Sequence, residues 1–178
     1  MSTGMLRMDV DARELRRAPG VVARAWVKAG NRAVSKTARW AVTHGLRGIV
    51  QAEGIPVSRL RRRRRAAIRI KRVFGAARGT VWFGIRPVPA ALAGKPRQLK
   101  KGAKAGRSFY EGSFVATMPS GHTGIFDRKG QARLPITEVM MALTKAPAVL
   151  RDVQRQIPDR LQVVLVQELN FEMRRGQQ

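Results

Sequence analysis

The chain has no cysteine, only two histidines and, between Glu53 and Glu111, no acidic residue at all. Without cysteine there are no disulfides, thiolate zinc sites or thiol nucleophiles. His44 and His122 have no second ligand at a plausible spacing, so no metal site is expected. No apolar run approaches the roughly 18 residues of a membrane span. The first residues lack the basic flank and apolar core of a secretion signal. A soluble protein made in a cytoplasm, with no membrane partner, is the expectation.

Catalytic patterns are missing too. Gly102-Ala103-Lys104-Ala105-Gly106 has neither the spacing nor the following Lys-Ser or Lys-Thr of a phosphate-binding loop. A nuclease needs clustered carboxylates to hold metal ions, yet Glu111 and Asp127 are the only acids near the hairpin, and the basic third has none. Ser113, Ser120 and His122 occupy turn sequences with no acid to orient them. The chain is therefore expected not to be an enzyme, with no catalytic residue and no cofactor.

What is present is positive charge. The 178 residues include 36 Lys and Arg against 11 Asp and Glu, a formal charge of +25. Such a field attracts polyanions and repels copies of itself. The acid-free interval holds 17 of the basic residues, leaving only +8 for the rest of the chain. The length suits one domain, residues 1–178.

Apolar periodicity sketches an α+β fold. Leu6, Met8 and Val10 alternate with Arg7 and Asp9 as in a short half-buried strand, and Asp11 can cap a helical turn running to Arg17. From about Pro19, Val22, Trp26, Ala29, Ala33, Val34 and Ala41 recur at three- and four-residue steps, the pattern of a long amphipathic helix. Gly45 or Gly48 bends or ends it before Gly54 and Pro56. Residues 57–65 suit a short basic helix capped by Ser58, within a basic segment at residues 57–72. Residues 68–71 and 80–88 read as strands, which puts Trp82 in the core beside Trp26. Trp40 lies off the apolar stripe and suits a subunit contact. The composition of residues 92–107 implies a flexible basic loop or hairpin arm.

Residues 109–118 and 123–128 read as strands joined by Met118-Pro119-Ser120-Gly121, with Pro and Gly where a type I turn wants them. Asp127-Arg128-Lys129-Gly130 makes a second turn, and Leu134-Pro135-Ile136 an edge strand. From Glu138 onward 6 basic and 5 acidic residues are balanced, and the pattern turns helical, with Pro147 in the first turn and a break or restart at Pro158. The expected architecture is a long N-terminal helix and a C-terminal helix packed on one small antiparallel sheet.

The hairpin region carries a resemblance. Gly112-Ser113-Phe114-Val115-Ala116-Thr117-Met118, Ser120-Gly121-His122-Thr123-Gly124-Ile125-Phe126, Arg128-Lys129-Gly130 and Arg133-Leu134-Pro135-Ile136 resemble, in order and spacing, the core of the phage minor tail protein Z family, also called tail completion proteins. Ala29-Gly30-Asn31-Arg32-Ala33 resembles that family's Ala-Leu-Asn-Arg-Thr-Ala element, with Gly for Leu. The resemblance implies a structural virion protein that completes the head-proximal end of a bacteriophage tail. It further implies tail and neck proteins as neighbours, with a homo-oligomeric ring expected of a component of a tubular assembly.

Two sets of site residues follow. Arg59, Arg61, Arg62, Arg63, Arg64 and Arg65, extended by Lys95, Arg97, Lys100, Lys101 and Lys104, are the expected contact with DNA or another polyanion. Such a contact is sequence-blind, because phosphates carry no base identity. The hairpin tip, Pro119, Ser120, Gly121 and His122, is the expected subunit contact. Phe114 and Phe126 pair across the hairpin and anchor its face on a helix. The alternative is a free-standing nucleic-acid-binding protein of ribosomal or nucleoid type, which composition alone favours.

Overall fold

The computed structural model describes residues 3–11, 20–61, 66–73, 76–130, 132 and 134–175. The chain is α+β and divides into two compact units: Thr3–Gly45 with Ala66–Gly84 and Pro147–Gln178, and Leu46–Arg65 with Ile85–Ala146. We call them the helical unit and the small-sheet unit.

In the helical unit β1 (Thr3–Asp11), β2 (Ala66–Val73) and β3 (Ala76–Gly84) form an antiparallel sheet in the order β1-β3-β2. Directly opposed residues point to the same side of such a sheet. Leu6 opposes Val81, Met8 opposes Gly79 and Val10 opposes Ala77, and all six are buried. Helix α1 (Gly20–Glu53) lays Ala29, Ala33, Val34, Ala38 and Ala41, all fully buried, along this side. The stripe is small because the sheet's side chains fill the gap. A Cβ on Gly45 would stand 2.7 Å from the Phe83 ring, and one on Gly79 would stand 2.6 Å from Val34 Cγ1. Gly45 thus makes room for Phe83, and α1 continues unbroken through Gly45 and Gly48, where a bend was one expectation.

Helix α3 (Ala146–Arg175) buries Leu150, Val153, Ile157 and Val164 at three-, four- and seven-residue steps. It does not break at Pro158. Pro158 is exposed, so the carbonyl one turn earlier, deprived of its helical donor, is left on the solvent side, while Ile157 and Val164 hold the buried stripe on either side. Glu168 and Glu172 extend the stripe as buried carboxylates. Lys36 Nζ donates to Glu168 Oε1 at 2.5 Å, and Arg32 pairs with both glutamates. Two acids of the C-terminal segment thus serve an internal link between α1 and α3.

In the small-sheet unit the expected meander forms as one of three sheets, where a single sheet had been expected. The first contains β5 (Arg97–Leu99), β6 (Gly102–Ala105) and β7 (Ser108–Glu111); the second, β8 (Phe114–Thr117), β9 (Thr123–Arg128) and β10 (Ile136–Glu138). The third pairs β4 (Val88–Pro89) with β11 (Met140–Met141). The strand expected over residues 109–118 is cut in two at Gly112, whose φ of 69° turns the chain out of the ladder. Ala90, Ala93, Ala103, Ala105 and Ile125 form the core, with Tyr110, Val115, Val139 and Met141 packed around it. The hairpin therefore packs on a 3-10 turn (Ala90–Ala93) and on β6, where a helix had been expected. The turn expected at residues 127–130 is a longer connection: β9 runs to Arg128, and β10 begins only at Ile136. The helical turn expected before Arg17 lies outside the described residues.

Candidate polyanion-binding surface

The surface begins where α1 ends. Gly54 has a φ of 70°, and Ile55 N–H donates to the Val50 carbonyl at 3.1 Å, a left-handed glycine stop that buries Ile55. Pro56 follows, and α2 (Val57–Arg61) restarts the chain one residue before Ser58, so Ser58 is not its cap. Arg59 is half-buried, and its guanidinium donates through Nη1 to the Ala91 carbonyl at 2.7 Å. It lines a cleft of about 350 Å³ with Pro89, Ala91, Leu92, Pro96, His122 and Thr123. Arg59 and His122, from the two expected sites, thus meet at one cleft. The Arg61 backbone ends α2; Arg62, Arg63, Arg64 and Arg65 lie outside the described residues.

Lys95, Arg97, Lys100, Lys101 and Lys104 are all exposed, and none forms an ion pair among the described residues. Composition left residues 92–107 too little apolar surface to pack. In the structure β5 and β6 form a hairpin, and Ala103 and Ala105 bury its inner side completely. Alanine is small enough to close this contact without a large side chain. Gln98 braces the turn, donating through Nε2 to the Leu99 and Gly102 carbonyls and accepting the Val115 N–H on Oε1 at 2.8 Å. Arg97 lies directly opposite Lys104, and Lys104 opposite Phe109. Like charges in that relation destabilise a ladder. A phosphate between them removes the penalty. Phe109, 49% exposed in the same row, was hidden from sequence reasoning because only the register puts it beside the two cations.

The 118–121 turn forms as expected from its sequence: Gly121 N–H donates to the Met118 carbonyl and Met118 N–H to the His122 carbonyl, both at 2.8 Å. Gly121 has a φ of 79°, which only glycine adopts without strain. Pro119, Ser120 and Gly121 form an exposed tip. His122 pairs with Glu138 at 2.8 Å and stands edge-on to Phe126. Phe114 opposes Phe126 with ring centroids 6.3 Å apart, and the Arg128 guanidinium lies over the Phe114 ring. Ser113 is buried and donates to the Tyr110 carbonyl, a fold contact.

Of the tryptophans, Trp26 and Trp40 are half-buried, and Trp40 stacks on His44 with centroids 4.5 Å apart. Trp82 departs from expectation: it points away from the core and is 38% exposed, while Val81 and Phe83 on either side are buried. Comparisons with protein-family models, with curated proteins and with solved structures each returned no match.

Proposed function

We propose that this chain is a structural protein of a bacteriophage tail that completes its head-proximal end. In this reading, tail and neck proteins are its neighbours and it assembles as a homo-oligomeric ring. Its cations face channel DNA without reading sequence. The observation that carries the reading is the β8–β9 hairpin with β10: the segments resembling tail completion proteins fold together around the Phe114–Phe126 pair and the Gly121 turn. The braced, unpaired cations of the β5–β6 hairpin support the polyanion contact. A surface meant for DNA that must slide is best served by fixed charges on a rigid support and by no base-reading side chains.

The test is a reconstruction of intact virions. The expected result is this fold at the head-proximal end of the tail, with the 118–121 turn against a neighbouring subunit. Absence of the chain from tube and collar overturns the proposal, and co-purification with ribosomes instead of virions favours the free-standing nucleic-acid-binding alternative.

A further inference from the structure

The helical unit's sheet has a second side, away from its buried residues. On it stand Met5, Arg7 and Asp9 from β1, Arg78, Thr80 and Trp82 from β3, and Arg69 from β2. Arg7, Thr80 and Arg69 make one cross-strand row; Met5 and Trp82 belong to the next. Met5 is 47% exposed and Trp82 38%. The benzo edge of Trp82 reaches over Gly84, where any Cβ would come within 2.7 Å of Cη2. The indole therefore leans along its own strand toward Gly84, with 38% of the residue left open to solvent. Asp9, on this side, is taken by Arg78 at 2.7 Å. Arg7 and Arg69 are exposed and form no ion pair among the described residues.

A flat aromatic ring open to water, flanked by guanidinium groups two strands apart, matches an unpaired nucleotide. The ring offers stacking to any base, and the cations offer charge to the phosphates on either side. The backbones of Arg7 and Arg69 lie about 10 Å apart across the sheet, in the row about 7 Å along the strands from Trp82, so that both long side chains start within reach of the phosphates of one stacked residue. Duplex DNA fits poorly, because its base faces are already stacked on one another. A protein partner would want more apolar surface than Met5 adds, and the net charge of +25 favours a polyanion. We propose that this face binds a single-stranded nucleic acid segment, with Trp82 stacking on a base and Arg7 and Arg69 holding its phosphates. The inference shares with the proposed function the premise of a nucleic-acid contact, but it uses the other unit, other residues and a different form of the polymer.

The experiment uses the full chain with fluorescein-labelled oligo(dT) and, separately, a duplex of equal length at one salt concentration. Trp82→Leu is expected to weaken oligo(dT) binding about tenfold with duplex binding unchanged, while Trp82→Phe retains most of the affinity. In a Trp26→Phe, Trp40→Phe variant Trp82 is the sole tryptophan, and oligo(dT) is expected to quench its emission; this readout decides the matter if Trp82→Leu misfolds. Equal loss for both polymers, no loss for either, or an unquenched Trp82 overturns the inference. So does finding Trp82 covered by a protein neighbour in the virion. Loss of the stacking effect alone leaves the tail assignment intact, and absence of the chain from virions leaves these binding results as they are.

Discussion

Single residues give the sharpest tests of how the helical unit is held. Thr37 is fully buried, and its hydroxyl has no hydrogen-bond partner among the described residues. An unpaired buried hydroxyl costs about 1–3 kcal/mol of desolvation, and valine has nearly the same shape. Thr37→Val is therefore expected to raise stability by about 1 kcal/mol, read as a higher urea midpoint with an unchanged slope; a lower midpoint would mean that the hydroxyl has a partner in solution. Trp82 marks the limit of what single residues tell. Val81-Trp82-Phe83 is apolar throughout, so alternation says that the middle ring opposes its neighbours but not which side is buried. Only the pairing of Val81 with Leu6 and the seat of Phe83 beside Gly45 decide it.

Elements were legible where one local rule governs them. The stripe of α1 and the turn at Gly121 each depend on a few adjacent residues, and each is visible in the chain; the end of α1, expected at Gly45 or Gly48, comes only at Gly54. What depends on distant partners was not: Pro158 suggests a break until Ile157 and Val164 are seen to carry the helix past it, and Gly112 does not announce that it ends a strand. The start of α3 belongs to this second kind. Glu53 Oε1, at the end of α1, accepts the Lys145 and Ala146 backbone N–H groups at 2.6 and 3.2 Å. It supplies from 92 residues away the cap that sequence-local side chains normally provide. Glu53→Ala is expected to cost about 1 kcal/mol, and Glu53→Gln less, since an acceptor oxygen remains. Equal stabilities of all three proteins in urea titration would remove the cap from the argument.

At the scale of the whole molecule, charge is what the fold must manage. The small-sheet unit holds 18 basic residues against 4 acidic ones, and three of those acids already serve other groups. Glu53 caps α3, Glu138 holds His122, and Asp127 accepts the Arg128 N–H. Neutralisation must then come largely from outside. If duplex DNA supplies it, affinity falls with salt by about 0.9 log units per log unit for each phosphate neutralised, whatever the base sequence. Changing Lys95, Arg97, Lys100, Lys101 and Lys104 together to Ser is expected to flatten that slope by as much as about 4, since all five are exposed and all but Lys95 sit on one braced hairpin. It should also ease the Arg97–Lys104 opposition, so stability should hold or rise while binding weakens. Changing residues 61–65 to Ser measures the arginine run separately. A slope that survives both changes would mean that these cations face an acidic protein neighbour, and that any DNA contact runs through other residues.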